Sequence, residues 1–400
     1  MLSTAATKLA SAPFAQRYPR VAVLVLVAVL VGGGALLLLA EHQWQVAAVL
    51  LGFGALAVVS ERTQAGAEIV NAYRGHRSFG NGAALTAMLG LIAAFREDHY
   101  AILMIATVAL YATACIGLNI QMAFGGVVNF AGAAFFSVGA YTAALLANTA
   151  LPHVAVLALS GLTAGVLGLC LLAPVLRTRG HYAALVTIAF GLLLRSFLEV
   201  NDALGGPQGL KVAGLELFGV SFNDVGSIGP WELSFYVPYA VVAVLIFAGA
   251  AAFTWRLENS WIGVSLDAVR TDEVAASAFG LSAARWKATA FLLGNVVIGL
   301  AGAAYGMMNG FVNPNGAGLG ESLLLISIIV LGGLGNIWGS VVAAAIILVI
   351  PEKLQAIQEY RMLIFSVLVL LILRYRPKGI LPRPVRVLAR FTGRKGENDV

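Results

Sequence analysis

The feature that most constrains this chain is a series of apolar runs, each about 20 residues long, that recur along most of its 400 residues. A helix of about 20 residues rises 1.5 Å per residue and crosses the roughly 30 Å hydrocarbon core of a bilayer. The runs do not alternate apolar and polar residues as the strands of a membrane barrel would. The sequence therefore predicts an all-α integral membrane protein, folded as a polytopic helical bundle.

Composition agrees with a membrane location. Hydrophobic residues make up 60% of the chain and charged residues 11%, and the mean hydropathy is +0.89. Soluble domains carry about a quarter charged residues, so a water-soluble fold could not bury this much apolar surface. The net charge of +6 comes from basic residues between and beyond the runs, where membrane topology accounts for them. We expect a lipid bilayer as the surroundings and no nucleic-acid partner.

Hydropathy divides the chain into about ten core helices preceded by about two N-terminal helices. Several candidates are shorter than a full span, which predicts broken helices or half-helices. The candidate spans are 21–40, 43–60, 81–95, 101–120, 131–150, 154–175, 182–199, 234–254, 288–309, 321–334, 337–350 and 362–374.

Charge bias predicts the orientation. The loop 200–233 carries four acidic residues against Lys211 alone, which is typical of an outside loop, whereas basic residues mark the cytoplasmic side. Both termini are basic, so we expect both in the cytoplasm of a cell with an inner membrane. The basic residues concerned are Lys8, Arg17, Arg20, Arg374, Arg376, Lys378, Arg383, Arg386, Arg390, Arg394 and Lys395.

The long run 321–350 must be interrupted if the tail is to reach the cytoplasm. Residues 332–336 read GGLGN, and glycines at Gly332, Gly333 and Gly335 permit a reversal or a discontinuous helix. The alternative is one long helix with a close-packed glycine face.

No polar segment is long enough to build a soluble domain, so we divide the chain by its spans. The predicted parts are an N-terminal extension with two to three spans and a linker (1–100), a core of membrane spans (101–380), a cytoplasmic loop within that core (255–287) and a basic tail (381–400).

The segment 255–287 is the most informative polar stretch. Leu266, Val269, Ala276 and Phe279 share a face at helical spacing, and Gly280 follows as a C-cap. The pattern predicts a short amphipathic helix on the cytoplasmic side. It either lies on the membrane surface or docks in a groove of a cytoplasmic partner.

Residues 268–280 read AVRTDEVAASAFG and resemble the cytoplasmic loop of ABC importer permeases, with its Glu-Ala-Ala and downstream glycine. Three further stretches, in order, are similar to the LivM-type permeases of branched-chain amino acid importers, and the resemblance covers roughly 105–380. The chain departs from that family at 129–132, which reads NFAG where relatives commonly read SLGH, and at Leu192, where relatives often carry glutamate. The further stretches are Gly117–Tyr141, Arg177–Leu210 and Val330–Ile380.

The resemblance implies a transmembrane subunit of an importer for branched-chain or other hydrophobic amino acids. It implies three kinds of partner, namely a second, LivH-like permease, two cytoplasmic ATP-binding subunits and a periplasmic binding protein. The partners would use ATP, and this chain would bind no cofactor itself. Related permeases import urea or short amides, which is the alternative within the family. The loop residues implied to couple to the ATPase are Ala268, Arg270, Asp272, Glu273, Ala275, Ala276 and Gly280.

Polar residues inside spans are the candidates for a solute pathway, because a charge at the bilayer centre costs about 2.5–3.5 kcal/mol on the insertion scale. Asn295 is one further candidate, and Arg195 is expected to snorkel toward the outer surface. Glycines at the breaks could aim backbone groups at a solute, although glycine in membrane helices more often serves packing. The pathway candidates are Asn119, Gln121, Asn129, Thr187, Gly332, Gly333 and Gly335.

Two other functional classes fit the sequence poorly. An enzyme is disfavoured because there is no phosphate-binding Gly-x-x-x-x-Gly-Lys-Ser/Thr loop, and the five histidines are not paired at metal spacing. A stand-alone secondary transporter would place acidic residues inside the membrane for ion coupling. Here the acids lie in loops, with Glu199 and Glu321 at span ends.

Overall fold

The structure is a computed structural model, and it describes most of the chain between Tyr18 and Lys353. The predicted span 43–60 is described only at 43–46, 48–49 and 51–52, the predicted span 362–374 only at 363, 370 and 374, and the basic tail only at 381. The described residues are 18–40, 42–46, 48–49, 51–52, 72–73, 75–178, 182–217, 220–222, 227–228, 231–353, 360, 363, 370, 374 and 379–381.

Helices dominate the described part of the chain. Six of them are long and apolar enough to cross a bilayer, which confirms an all-α polytopic membrane protein. The helices are α1 (Pro19–Leu39), α2 (Arg77–Ala94), α3 (His99–Asn119), α4 (Gly132–Leu146), α5 (His153–Arg177), α6 (Tyr182–Val200), α7 (Tyr236–Glu258), α8 (Trp261–Thr271), α9 (Glu273–Ala278), α10 (Ala283–Asn309), α11 (Leu319–Gly332) and α12 (Ile337–Lys353).

Short strands lie in the loops that join helices at one end of the bundle. The pairs β1–β6, β2–β3 and β4–β5 are each antiparallel, and β1–β6 ties the loop after α6 to the loop before α11 by pairing Leu210 with Val312. The strands are β1 (Leu210–Lys211), β2 (Glu216–Leu217), β3 (Val220–Ser221), β4 (Ser227–Ile228), β5 (Trp231–Glu232) and β6 (Phe311–Val312).

Helices α3 and α10 form the centre of the bundle, where glycines bring helix backbones together. A Cβ at Gly139 of α4 would overlap the carbonyl of Gly299, and one at Gly302 would overlap the carbonyl of Phe136. Lipid is as apolar as leucine, so membrane helices associate through such close packing and not through a hydrophobic force. At these positions glycine serves close helix packing, which is its more common role in membrane helices.

The break in the run 321–350 is confirmed. Helix α11 ends at Gly332 and α12 begins at Ile337. Gly333 and Gly335 have φ of 102° and 83°, in a region that favours glycine because it lacks a Cβ. The single long helix is therefore wrong, although Gly332 and Gly339 also pack backbone against backbone.

The prediction of a single amphipathic helix in 255–287 is wrong, because this segment forms two helices, α8 and α9. Asp272 separates them: its extended backbone ends α8, and its side chain accepts from the N–H groups of Val274 and Ala275 to cap α9. Gly280, with φ of 82°, ends α9 in a Schellman arrangement, so the predicted C-cap is confirmed.

The predicted apolar face of the loop is correct in part. Leu266, Val269 and Ala276 are buried, but Phe279 is 87% exposed. The turn between α8 and α9 rotates the second helix, so positions that one continuous helix would align no longer share a face.

The described part of the N-terminal extension packs on the permease core. Helix α1 contacts α2 and α12, and the Lys353 ammonium donates to the carbonyl of Leu38 at 2.7 Å. The same ammonium lies 4.7 Å from the centre of the Tyr100 ring, a cation–π geometry. Lys353 thus joins the ends of three helices.

Candidate transport and coupling sites

The chain between α3 and α4 is irregular inside the bundle. After Asn119 the helix widens into a π-helical turn (Ile120–Phe124), and Gly126 then takes φ of 67°. Helix α4 starts at Gly132. The backbone is therefore broken at Gly125–Gly126, and single π-turns are found frequently at functional sites.

Three amides form a hydrogen-bonded chain across this break. The Gln121 side chain donates to Asn295 Oδ1 at 2.8 Å and accepts from Asn129 Nδ2 at 2.6 Å. Asn129 Oδ1 accepts from the N–H of Ala131 at 2.8 Å. All three amide side chains are fully buried, so the chain fastens the π-turn to α10 and to the start of α4.

One donor of this network is left over. Asn295 Nδ2 is buried and has no hydrogen-bond partner among the described residues. It lies against Gly168 of α5, where a Cβ would overlap it. Burying an unpaired amide donor costs about 1–3 kcal/mol, so α5 tolerates Asn295 at an energetic cost and only because position 168 is glycine.

A second polar cluster connects α3 to the glycine break between α11 and α12. Asn119 Oδ1 accepts from the N–H of Gly335 at 2.9 Å, and Asn119 Nδ2 donates to Ser340 Oγ at 3.1 Å. Ser340 in turn donates to the Asn336 carbonyl at 3.2 Å. The side chain of Asn119 therefore stabilises the backbone at the break.

Thr187 also bonds to the irregular segment. Its hydroxyl accepts from the N–H of Phe130 at 3.0 Å and donates to the Ala184 carbonyl at 2.8 Å. Two pairs of predicted pathway residues thus meet, Asn119 with Gly335 and Gln121 with Asn129, whereas Thr187 bonds to Phe130, which was not predicted. Each pair satisfies polar groups in the interior, which membrane helices require.

The Arg195 guanidinium reaches along α6 toward the outer end of the helix, the direction that snorkelling predicts, and protein groups bind it there. Its Nε donates to Glu199 Oε1 at 2.8 Å, and its Nη2 donates to Asn315 Oδ1 at 3.0 Å in the loop before α11. The charge is held by the protein.

Sequence reasoning missed three residues of these clusters. Ser340 and Asn336 follow the glycine break, and Asn315 lies in a loop in which no sequence motif was recognised. Asn336 is the exception that local chemistry could have identified, because its side chain accepts from the N–H groups of Trp338 and Gly339 and so caps α12.

The break at 125–131, the loop helices and the start of the tail lie at one end of the bundle. Arg270 of α8 lies against Gly126, where its Cγ would be 3.0 Å from a Cβ. The N–H groups of Ile380 and Leu381 donate to the carbonyls of Leu331 and Gly332, the last residues of α11. Helix α8 is therefore packed against the broken segment.

The coupling candidates divide by exposure. Glu273 forms an ion pair with Lys287 of α10, which fastens α9 to the base of that helix. Val274 is 80% exposed and Phe279 87% exposed. Of the predicted coupling residues, Ala276 is buried and Ala268 half-buried, and the exposed ones are Arg270, Asp272, Glu273, Ala275 and Gly280.

Comparison with known proteins matches residues 100–373 to the family described as the permease component of branched-chain amino acid transport systems. The LivM permease of Salmonella typhimurium strain LT2 is 34% identical over 288 residues, 68% of each chain. LivM of Escherichia coli K12 matches to the same extent. LivH of Salmonella typhimurium is 25% identical over 300 residues, covering 68% of this chain and 92% of that protein. No solved structure gives a significant match.

Proposed function

The chain belongs to the family of branched-chain amino acid transport permeases, and we propose that it is one of the two membrane subunits of an ABC importer. In this proposal it carries branched-chain or other hydrophobic amino acids across the inner membrane. Two ATP-binding subunits supply the energy, and a periplasmic binding protein delivers the solute. The chain itself hydrolyses no ATP.

The observation that carries the proposal is the exposed apolar pair on α9 and its C-terminal turn. Val274 and Phe279 project from a polar loop between the spans α7 and α10. Exposed large apolar side chains beside charged ones are typical of protein contacts, and a short helix that lays such residues in a groove is a known mode of recognition. The groove would belong to an ATP-binding subunit.

The end of the bundle that carries α8 and α9 is assigned to the cytoplasm. Arg256, Arg285 and Lys287 flank the loop helices, and basic residues favour the inside. Residues 379–381 lie at this same end, which supports a cytoplasmic location for the tail.

The second permease would cover α6. This helix exposes Leu193 and Phe197 on its outer surface, and a permease related to LivH is the expected partner.

Within this chain, the buried amides would act on the pathway by holding its two breaks in shape. Asn119 holds the break at 332–336, and Gln121 and Asn129 hold the break at 125–131. The glycines Gly332, Gly333 and Gly335 would supply the backbone freedom when the pathway changes the side to which it opens.

The test is a comparison of matched variants in the reconstituted importer. We expect Phe279→Ser to reduce co-purification of the ATP-binding subunits and ATP-driven leucine uptake at least tenfold, because a buried aromatic anchor carries about 2 kcal/mol or more of binding. Phe311→Ser is the control, since Phe311 is 44% exposed in a loop at the opposite end of the bundle.

Two outcomes would contradict the proposal. Uptake of leucine by this chain alone, without ATP, would establish a secondary transporter. Uptake of urea or short amides in place of amino acids by the complete importer would establish the alternative substrate class within the family.

A further inference from the structure

Helix α6 carries a polar stripe along one face of an otherwise apolar span. Thr187, Gly191, Arg195 and Glu199 follow one another at intervals of four residues, so their side-chain positions lie one above the other on the helix. The opposite face exposes Leu193 and other large apolar residues. The stripe runs from the broken segment at Thr187 to the outer end of the helix.

The glycine in this stripe borders open space. Gly191 is buried, yet a Cβ placed on it would meet no heavy atom within 4 Å. Most buried glycines of this bundle are needed for close helix contact, as at Gly139 and Gly302. At Gly191 no such contact exists among the described residues, so packing does not account for it.

The charged pair lies near the outer end of the span and is bound by protein groups there. Arg195 precedes the end of α6 at Val200 by five residues, or about 8 Å at 1.5 Å per residue. The Arg195 and Glu199 side chains are 39% and 37% exposed. Charged side chains within a span usually face a water-filled cavity or a protein partner, and the bond to Asn315 directs Arg195 away from lipid.

The pair is complementary to a zwitterion. An arginine has five N–H donors and binds carboxylates in a fork, and here Nε and Nη2 are engaged, which leaves donors free for a second carboxylate. Glu199 uses Oε1 toward Arg195, and its other oxygen can accept from an ammonium. An α-amino acid carries these two opposite charges a few ångströms apart, beside an apolar side chain.

We propose that this stripe is a solute subsite of the permease, in which Arg195 binds the carboxylate of an amino acid, Glu199 binds its ammonium and the open space beside Gly191 takes its side chain. Gly191 lies one helical turn, about 5–6 Å, from Arg195, which suits a side chain of three or four carbons. The inference rests on the proposed function and adds specificity to it: an uncharged amide or urea would satisfy neither ion.

The size of the side-chain space is tested with Gly191→Leu. The complete importer is reconstituted with saturating binding protein, so that the initial rate of uptake reports the membrane step. We expect leucine uptake to fall about tenfold and alanine uptake to fall less than about threefold, because the new side chain occupies the space of the solute's own. Gly191→Ala should give a smaller change in the same direction.

The matched control is Gly249→Leu in α7. Gly249 also meets no heavy atom within 4 Å of a Cβ, but it lies on an exposed face of its helix. We expect the ratio of leucine to alanine uptake to stay at the wild-type value. An unchanged ratio in Gly191→Leu as well, in protein that elutes as a folded complex, would overturn the subsite.

The role of Arg195 is separated from a purely structural one by Asn315→Ala. That change removes the acceptor for Nη2 but leaves the pair with Glu199. Arg195→Gln should reduce leucine uptake about tenfold, Arg195→Lys should be intermediate because it keeps the charge without the fork, and Asn315→Ala should remain within about threefold of wild type. If Arg195→Gln and Asn315→Ala reduce leucine uptake equally, the role of Arg195 is only to hold α6 against the loop before α11.

These results also distinguish the subsite from the proposed function. If the wild-type importer transports no amino acid, the proposed function fails. If it transports leucine and Arg195→Gln transports leucine equally well, the function stands and the subsite fails.

Discussion

Helices α3 and α6 are both apolar spans, but the fold buries them very differently. The segment His99–Phe124 contains α3 and its π-turn, and 78% of the residues in its most apolar 18-residue stretch are buried inside the protein. The corresponding share in Tyr182–Val200, which is α6, is 17%. The corresponding mean hydropathies are 2.2 and 1.8. Hydropathy therefore identifies both as spans and does not distinguish a central helix from a peripheral one.

The difference lies in small and polar residues. Gly117 of α3 packs backbone to backbone against Gly294 of α10, and Asn119 and Gln121 bond to other helices. Helix α6 has its glycine beside open space and its charges near one end. Since lipid supplies no hydrophobic force between helices, close contacts and interhelical hydrogen bonds decide which helix becomes central.

The strongest test of this comparison is a large side chain at the centre. Gly302→Leu would force a side chain into the carbonyl of Phe136 and should destabilise the protein by about 3 kcal/mol or more, so that little folded protein is recovered in detergent. Gly249→Leu, on an exposed helix face, is the control. Equal yields and melting temperatures for the two variants would break the comparison.

The next largest loss of stability should come from a cavity in the centre of the bundle. Leu118 of α3 is fully buried and Leu193 of α6 is 70% exposed. Leu118→Ala should cost about 2 kcal/mol through lost packing, and Leu193→Ala within about 0.5 kcal/mol. Thermal unfolding of the purified chain, followed by fluorescence, measures both. A similar cost for the two would mean that α6 is packed as tightly as α3.

Removal of a central amide should have a moderate effect. Gln121→Ala leaves Asn129 and Asn295 without their shared partner and should cost about 1–2 kcal/mol. A double-mutant cycle with Asn295→Ala gives the coupling between the two side chains. Additive losses would indicate that the hydrogen bond seen between them contributes nothing to stability.

The smallest effect on stability is expected outside both helices. Glu273→Gln removes a partly exposed ion pair with Lys287 and should cost at most about 1 kcal/mol. We expect it, like Gly280→Ala, to uncouple ATP hydrolysis from uptake while membrane insertion persists. The exchange Glu273→Lys with Lys287→Glu should restore coupling if the pair positions α9. Normal uptake by Glu273→Gln and Gly280→Ala would remove the coupling role.

Much of the fold was predictable because the bilayer imposes it. The apolar runs gave helix positions within a few residues, as for 154–175 against His153–Arg177, and the charge bias together with glycines located the break at 332–336. The loop was predicted as a helix, but its division at Asp272 was missed, although an aspartate three residues before Ala275 is a recognisable N-cap.

The sequence predicted which polar residues belong to the candidate site, but it did not predict which residues they bond to. Asn119, Gln121, Asn129 and Thr187 were identified because polar groups inside a span are costly. Their partners Ser340 and Phe130 could not be identified, because these contacts join residues far apart in the chain and depend on which helices pack together.

The sequence by itself determined that the chain crosses a membrane, approximately where most of its described spans lie and to which family it belongs, because span length, charge bias and motif spacing are local properties. Tertiary structure alone decided which spans are central, that Glu273 is bonded to Lys287, that Arg195 is bonded to Asn315, and that Gly191 borders open space. Those outcomes depend on distances between helices, and in lipid these are set by shape and hydrogen bonding, which apolar content does not encode.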